Sequence, residues 1–222
     1  MPAFYPDPLN GLTSIPAPAG DLPQGFCYAH DVINDLILDI RYAGNHNFVG
    51  RPVDGYEAPY AVMTKQAAQA LKAVADDLRP QSLRLMIYDA YRPMRAVRHF
   101  VRWSQDAADL CMQREFYPGF KSKAEIIEQG YISPTSSHCR GSVVDLTLAD
   151  AQGNPLDMGG CFDYFGSLSW HDSPLVTPQQ TENREQLRAA MKRRGFDDYS
   201  KEWWHYRLLS EPFSESFDFP VR

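Results

Sequence analysis

Two polar segments set among apolar residues hold the side chains with the clearest chemical potential. His138 shortly precedes Ser142–Leu148, an apolar run that contains Asp145, and His205 ends a Glu-Trp-Trp-His segment. Hydrolytic zinc sites commonly take three ligands from His and Asp or Glu and leave a fourth position open to water. Two imidazoles and one carboxylate from these segments would make such a set. Glu202 lies three residues before His205, near enough to act as a general base without binding the metal.

Each of these side chains also has an ordinary structural interpretation. Taken alone, His205 would be a half-buried, hydrogen-bonded histidine, and Asp145 would cap a turn or pair with an arginine. A pair spaced as His-x6-Asp is not a dense metal signature of the HExxH kind. Positions three apart on a regular strand face opposite sides, so Glu202 is expected at a bend or at the start of its strand.

The segments that would position these residues predict a mixed fold. Residues 43–60 hold three glycines and two prolines and predict a long surface loop. Apolar runs predict four strands, at Asp31–Tyr42, Leu83–Tyr88, Ser142–Leu148 and Trp203–Leu208. Helical periodicity and capping residues predict four helices: from a Thr64 cap to Leu78, over Met94–Met112, from a Ser122–Glu125 capping box to about Gly130, and over Glu182–Arg194 before Gly195. Because strands and helices do not alternate regularly, we expect one α+β domain with a central, largely antiparallel sheet and flanking helices.

Composition and charge restrict the partners and the compartment. A net charge of −6 argues against a nucleic-acid or anionic-membrane surface, and no apolar run approaches the roughly 18 residues that span a bilayer. The first lysine or arginine is Arg41, so no export signal is expected, and four cysteines without a Cys-x-x-Cys pair indicate free thiols. These features predict a cytoplasmic protein, or a periplasmic one only if a leader was removed. They also predict a proline-rich arm over residues 1–25 and one folded domain over residues 26–222.

Three motifs together resemble those of a known enzyme family. The motifs are His138-Cys139-Arg140-Gly141 with Asp145, Glu202-Trp203-Trp204-His205, and Asp89-Ala90-Tyr91-Arg92-Pro93. They resemble the motifs of the D-alanyl-D-alanine dipeptidases, which are enzymes of the vancomycin-resistance type with relatives in other bacteria. The likeness extends from about Asp31 to Arg222. It also includes Asn47-Phe48, Pro52–Glu57, Met158-Gly159, Phe162-Asp163 and Phe217–Val221.

The resemblance implies an enzyme that hydrolyses D-Ala-D-Ala to free D-alanine on a D,D-peptidase/Hedgehog-like zinc fold. A single zinc ion per chain and a small dipeptide substrate are implied with it, and residues 26–222 would be the zinc dipeptidase domain. By position, the family's zinc ligands match His138, Asp145 and His205, its catalytic base matches Glu202, its oxyanion-stabilising arginine matches Arg92, and its substrate-holding residues match Tyr42, Ser136 and Asp163.

Three of these implied roles have structural alternatives. Arg92 could form an ion pair with Asp89 instead of stabilising an oxyanion. Asp163 could bind a substrate ammonium group, or it could be solvated at the surface or cap a turn. Ser136 could bind the substrate carboxylate, or it could shape the loop before His138.

Two other functions are compatible with the same motifs. A D,D-carboxypeptidase acting on cell-wall peptides would need an open groove and export. A non-catalytic zinc-binding interaction domain would keep the ligands without the base, and the presence of both Glu202 and Arg92 argues against it. The sequence does not choose between D-alanine salvage and glycopeptide resistance as the cellular role, and it does not predict the oligomeric state.

Overall fold

A five-stranded sheet carries most of the segments that the sequence singles out. The computed structural model describes residues 20–222. In spatial order the strands of this sheet are Ile37–Leu38, Arg84–Asp89, Val143–Ala149, Glu202–Leu208 and Phe196–Tyr199, and every neighbouring pair is antiparallel except the first. A second, two-stranded sheet pairs Phe26–Tyr28 with Val62–Thr64. The predicted α+β fold with a largely antiparallel sheet and flanking helices is therefore confirmed.

The helices and strands have the following bounds. The strands are β1 (Phe26–Tyr28), β2 (Ile37–Leu38), β3 (Val62–Thr64), β4 (Arg84–Asp89), β5 (Val143–Ala149), β6 (Phe196–Tyr199) and β7 (Glu202–Leu208). The helices are α1 (Lys65–Leu78), α2 (Met94–Gln105), α3 (Gln113–Phe116), α4 (Lys123–Glu128) and α5 (Pro178–Arg193). None of the helices in residues 20–222 is both long enough and apolar enough to cross a membrane. The predicted arm over residues 1–25 lies mostly outside the described residues.

Helix α1 begins and ends where its sequence predicts. The Thr64 hydroxyl accepts a hydrogen bond from the Ala67 amide at 3.2 Å, which satisfies one of the free amides of the first turn. The predicted apolar face is buried, including Leu71 and Leu78. Pro80 is the second residue after the helix and has no amide hydrogen with which to continue it.

The predicted strand over Asp31–Tyr42 is wrong. Only Ile37–Leu38 forms a strand, with short 3-10 turns on both sides of it. Ile33 and Ile40 are each 2% exposed. The apolar side chains of this segment fill the core without joining a ladder, so the run is as apolar as a buried strand although most of its backbone is irregular.

The predicted helix over Met94–Met112 is too long, because α2 ends at Gln105. The Asp106 carboxylate accepts a hydrogen bond from the Ala108 amide at 3.0 Å and starts a turn there. A short polar side chain that bonds to the backbone two residues on competes with the helix. The turn at Asp106 therefore ends the helix, although the apolar periodicity of the sequence continues beyond this residue.

Two further differences lie in the last third of the chain. Helix α5 begins at Pro178, earlier than predicted, because Thr177 and Gln180 form a reciprocal capping box in front of it. Gly195 follows the helix with a φ of +83°, as its predicted place after the helix requires. Strand β6, which was not predicted, then pairs with β7.

The register of β5 and β7 places the two strand-borne candidate ligands side by side. Asp145 on β5 lies directly opposite His205 on β7. His138 comes from the 3-10 turn Ser137–Arg140 just before β5, and Gly141 ends that turn with a φ of +80°. A Cβ atom at Gly141 would overlap the Phe26 ring, so glycine is required both by the conformation and by the space.

Candidate active site

Three side chains from remote parts of the chain bring their nitrogen and oxygen atoms close together. The His138 Nε2 lies 3.3 Å from the His205 Nδ1 and 3.3 Å from Asp145 Oδ2, and the His205 Nδ1 lies 3.0 Å from Asp145 Oδ1. Donor atoms about 2.0–2.1 Å from a tetrahedral zinc ion are about 3.3–3.4 Å apart. The spacing of this cluster therefore fits a single zinc ion with one position left for a further ligand.

Backbone contacts orient the first of these imidazoles. The His138 Nδ1 lies 2.7 Å from the Ala90 carbonyl oxygen, to which it donates its proton. That tautomer leaves the lone pair of Nε2 directed at the cluster. The Arg92 amide also donates to the His138 carbonyl oxygen at 3.3 Å, so the segment after β4 holds both the ring and the backbone of this histidine.

Asp145 is 2% exposed, and its surroundings keep it ionised. Burial alone would raise the pKa of its carboxyl group, but the charge and hydrogen bonds of His138 and His205 hold that pKa below its usual range. A carboxylate that is charged before any metal arrives is a suitable ligand, since zinc binds the deprotonated form.

Glu202 stands beside the three donors without lying among them. Its Oε2 is 3.6 Å from the His205 Nδ1, and it is the first residue of β7. The register of β6 and β7 shifts next to it, so that Tyr199 pairs with Glu202. Its predicted place at a strand start is thus confirmed. Burial raises the pKa of the Glu202 carboxyl group, which moves it towards the range in which a general base works at neutral pH.

Arg92 lies between an ion pair and the cluster. Its Nε and Nη2 donate to Asp89 Oδ2 at 2.9 and 2.8 Å, and its Nη2 is 3.4 Å from Asp145 Oδ2. Its guanidinium carbon is 5.1 Å from the centre of the Tyr42 ring and 5.3 Å from that of Phe100. The ion pair with Asp89 that the sequence left open is present, and it holds the guanidinium at the candidate site.

Asp163 and Tyr42 form a buried pair, and the Tyr42 ring of this pair lies against Arg92. The Tyr42 hydroxyl donates to Asp163 Oδ2 at 2.7 Å, and the aspartate is 7% exposed, so surface solvation of Asp163 is wrong. Burial raises the pKa of Asp163 well above its usual value. Asp163 has a φ of +61°, a conformation that few residues other than glycine adopt. This carboxylate is therefore held at some cost where its charge is poorly compensated.

Ser136 has the loop-shaping contact that its sequence context suggests. Its hydroxyl accepts a hydrogen bond from the His138 amide at 3.3 Å and so caps the turn that carries this histidine. Ser136 also lines the cavity described below. The contact is compatible with either of the two interpretations, since a serine oxygen has a second lone pair and a proton to offer.

One cavity joins all of these side chains. It has a volume of about 270 Å³, which is at the small end for a ligand site. Its walls include every predicted site residue: Tyr42, Arg92, Ser136, His138, Asp145, Asp163, Glu202 and His205. Aromatic side chains close much of the rest, among them Phe48, Phe100, Tyr131, Phe165 and Tyr199. The space fits a small molecule of about the size of a dipeptide.

Tyr56 lies next to the site, and the sequence does not predict its position there. It is 7% exposed, and its hydroxyl donates to Asp89 Oδ1 at 2.5 Å, directly behind Arg92. It belongs to the loop over residues 43–60, where no periodicity links it to the strands. The only available signal is its place in the Pro52–Glu57 segment that shares the family resemblance.

The site combines three possible ligands for one metal ion, a further carboxylate beside them and a buried guanidinium at a small cavity. This combination is typical of the active site of a metal-dependent hydrolase. The sequence model of the D-ala-D-ala dipeptidase family of peptidases matches residues 23–221. The chain therefore belongs to the D-alanyl-D-alanine dipeptidase family, and it is a peptidase.

Individual relatives are similar over almost their whole length. A D-alanyl-D-alanine dipeptidase of Enterococcus faecium is 38% identical over 89% of this chain and 98% of its own. One of Enterococcus faecalis is 36% identical over 90% of this chain and 100% of its own. One of Streptomyces coelicolor is 38% identical over 88% of this chain and 98% of its own.

Proposed function

We propose that this chain hydrolyses D-alanyl-D-alanine to two molecules of D-alanine with one zinc ion held by His138, Asp145 and His205. The observation that carries the proposal is the meeting of His138, Asp145 and His205, whose nearest nitrogen and oxygen atoms lie 3.0–3.3 Å apart, with a Glu202 oxygen 3.6 Å from the His205 Nδ1. A zinc ion bound there would supply Lewis acidity that brings the pKa of a water molecule towards neutrality.

Glu202 is the general base of this proposal. Its carboxylate takes a proton from the water molecule as the water oxygen attacks the peptide carbonyl carbon. It then returns that proton to the nitrogen of the departing amino acid as the C–N bond breaks. The raised pKa of Glu202, caused mainly by burial, supports both steps, since the group must accept a proton and later release it.

Arg92 stabilises the negative charge that develops on the carbonyl oxygen. Its guanidinium is already fixed by Asp89 and enclosed by the Tyr42 and Phe100 rings, so it needs little reorganisation during the reaction. A fixed donor aimed at developing charge in a site sheltered from water contributes several kcal/mol, roughly 10²–10³-fold in rate.

Asp163 and Ser136 hold the two ends of the dipeptide. The Asp163 carboxylate is buried, and among the described residues only the Tyr42 hydroxyl hydrogen-bonds to it, so it can take the free ammonium group. Ser136 takes the free carboxylate. A site that recognises both charged ends inside about 270 Å³ excludes longer peptides, which makes the enzyme a dipeptidase.

A cytoplasmic location and a catalytic domain over residues 26–222 belong to the same proposal. All four cysteines, Cys27, Cys111, Cys139 and Cys161, are free thiols. Free thiols are typical of a reducing compartment. The match of the family model from residue 23 onwards supports the boundary of the domain.

Turnover assays on three substrates test the proposal. Purified protein is incubated with D-Ala-D-Ala, with L-Ala-L-Ala and with a pentapeptide ending in D-Ala-D-Ala, each with and without a chelator. We expect cleavage of D-Ala-D-Ala only, abolished by the chelator and restored by zinc.

Each other outcome contradicts a different part of the proposal. Equal turnover of the pentapeptide would identify a D,D-carboxypeptidase, and failure to cleave any substrate with zinc bound would favour a non-catalytic zinc-binding domain. Cleavage that survives complete metal removal would exclude the zinc mechanism altogether.

A further inference from the structure

A line of buried hydrogen bonds runs from Tyr56 to Arg92. The Tyr56 hydroxyl donates to one oxygen of Asp89 at 2.5 Å, and the other oxygen accepts from Arg92 at 2.8 and 2.9 Å. Asp89 is completely buried, at 0% exposure. A buried carboxylate needs partners on both oxygens, because each unpaired oxygen carries a desolvation cost. Tyr56 thus fixes the rotation of the carboxylate to which Arg92 is bound.

Arg92 has a second carboxylate within reach. Its Nη2 lies 2.8 Å from Asp89 Oδ2. The same atom lies 3.4 Å from Asp145 Oδ2, and Asp145 is one of the proposed zinc ligands. If Asp89 rotated away, the guanidinium would shift towards Asp145 and would no longer point into the cavity. The position of Asp89 therefore determines how strongly the guanidinium is drawn towards Asp145, which it already contacts, and how far it stays available to an oxyanion.

Tyr56 is itself held by backbone bonds to the end of the chain. The Val221 carbonyl oxygen accepts from the amides of Glu57 at 2.8 Å and Ala58 at 3.0 Å, and the Val221 amide donates to Gly55 at 2.8 Å. These bonds surround Tyr56 on both sides and form a short parallel bridge between it and Val221. The loop over residues 43–60 is long, but these backbone hydrogen bonds fix the position of Tyr56 within it.

We propose that Tyr56 is a positioning residue for Arg92 and acts through Asp89. The inference rests on the proposed function, because it assigns to Tyr56 the task of keeping Arg92 available for the oxyanion. Tyr56 does not line the cavity, and its hydroxyl, which is bonded to Asp89, also lies close to the Arg92 side chain. Its removal should affect the transition state more than the binding of the dipeptide.

The variant Tyr56→Phe tests this with the loss of a single oxygen atom. We expect kcat for D-Ala-D-Ala to fall roughly tenfold, equivalent to about 1.4 kcal/mol of transition-state stabilisation, while KM changes less than about twofold. The zinc content is expected to stay at the wild-type level, since the three donors keep their own contacts.

Tyr60→Phe is the matched control. Tyr60 lies in the same loop and is 2% exposed, and its buried hydroxyl has no hydrogen-bond partner among the described residues. The same oxygen is thus removed from a similar environment without breaking a hydrogen bond. We expect wild-type kcat and KM. An equal loss of kcat in Tyr60→Phe and Tyr56→Phe would overturn the proposal in favour of a general effect on the loop.

A double-mutant cycle shows whether Tyr56 acts through Arg92. In an Arg92→Ala background, Tyr56→Phe is expected to have less than a twofold further effect on kcat, because the group that it positions is gone. A further tenfold loss in that background would mean that Tyr56 acts by another route, and the proposal would be wrong.

The same cycle separates this inference from the proposed function. If Arg92→Ala alone leaves kcat unchanged, the proposed role of Arg92 fails. If Arg92→Ala lowers kcat but Tyr56→Phe does not, only the positioning role of Tyr56 fails. Thermal unfolding of each variant accompanies the kinetics. A Tyr56→Phe protein that loses kcat only at temperatures where it unfolds would contradict the proposal.

Discussion

The metal side and the substrate side of the cavity are built in different ways. Asp145 and His205 stand opposite each other on paired strands, so the ladder of β5 and β7 sets their separation. Tyr42 and Asp163 come from irregular segments and are joined by one side-chain hydrogen bond. A backbone register cannot change without disrupting the sheet, whereas a loop can be altered residue by residue. We therefore expect the metal side to tolerate few substitutions. Substitutions that change substrate specificity are expected on the substrate side.

The largest expected effect concerns the base on the metal side. Glu202→Gln keeps the shape of the side chain but removes its ability to take a proton. We expect kcat to fall about 10²–10⁴-fold, with KM and zinc content near their wild-type values. Steady-state kinetics with metal analysis measures this, and Glu182→Gln at an exposed position of α5 is the control. A Glu202→Gln enzyme with more than about a tenth of wild-type kcat would rule out this residue as the base.

The next effect concerns the substrate side. Asp163→Asn removes the charge, and asparagine tolerates the positive φ of this position better than most residues. We expect KM for D-Ala-D-Ala to rise about 10–100-fold, the equivalent of a charge-assisted hydrogen bond, with a smaller change in kcat. An unchanged KM would show that the ammonium group binds elsewhere. Retention of zinc by the variant would show that the two sides are independent.

The elements of the metal side were predictable because their signals are local. The β5 run and the neighbouring β4 run each coincide within a residue or two with the strand that they specify. The convergence of Asp145 with His205 was not available from their spacing. It depends on a pairing between residues 60 positions apart, so residue types offered it only as one interpretation, and the resemblance to a family favoured it.

The substrate side was less predictable in physical terms. Tyr42 was expected at the end of a long strand, but it lies in a 3-10 turn, because the apolar run before it packs into the core instead of pairing. Asp163 has a positive φ, which aspartate adopts more often than most residues but which its presence in the sequence does not by itself specify. The role of Tyr56 depends on a contact with the end of the chain, which no window of sequence around it contains.

The stability of the folded protein is expected to depend on pH through His171, which packs against β7. Burial lowers the pKa of His171 from 6.5 to about 4, and its ring packs against Tyr206 of β7. Between these values the unfolded chain binds a proton that the folded protein does not. The free energy of unfolding therefore falls as the pH drops from 6.5 towards 4, by up to about 1.4 kcal/mol for each pH unit.

His171→Phe removes this proton while keeping a ring in the same space. Denaturant unfolding at several pH values is expected to give a shallower loss of stability between pH 6.5 and 4 than in the wild type. The two proteins are expected to differ little in this slope above pH 7. An identical slope below pH 6.5 would mean that His171 is not the group responsible.

The smallest effect is a gain in stability on the substrate side. Burial raises the pKa of Asp163, so the folded protein binds this proton more tightly than the unfolded chain does. The ionised form at neutral pH thus costs stability, and the cost increases as the pH rises through the range between the two pKa values. We expect Asp163→Asn to raise the melting temperature at pH 8 by about 2–4 °C for each kcal/mol relieved. A lower melting temperature would contradict this account of the pair with Tyr42.

The zinc stoichiometry of three proteins tests the central claim most directly. Mass spectrometry of the metal in dialysed wild type, Glu202→Gln and His205→Ala separates a ligand from a base that stands beside the metal. We expect one zinc ion per chain in the first two proteins and almost none in His205→Ala. Full zinc in His205→Ala, or its loss from Glu202→Gln, would contradict the assignment of ligands and base.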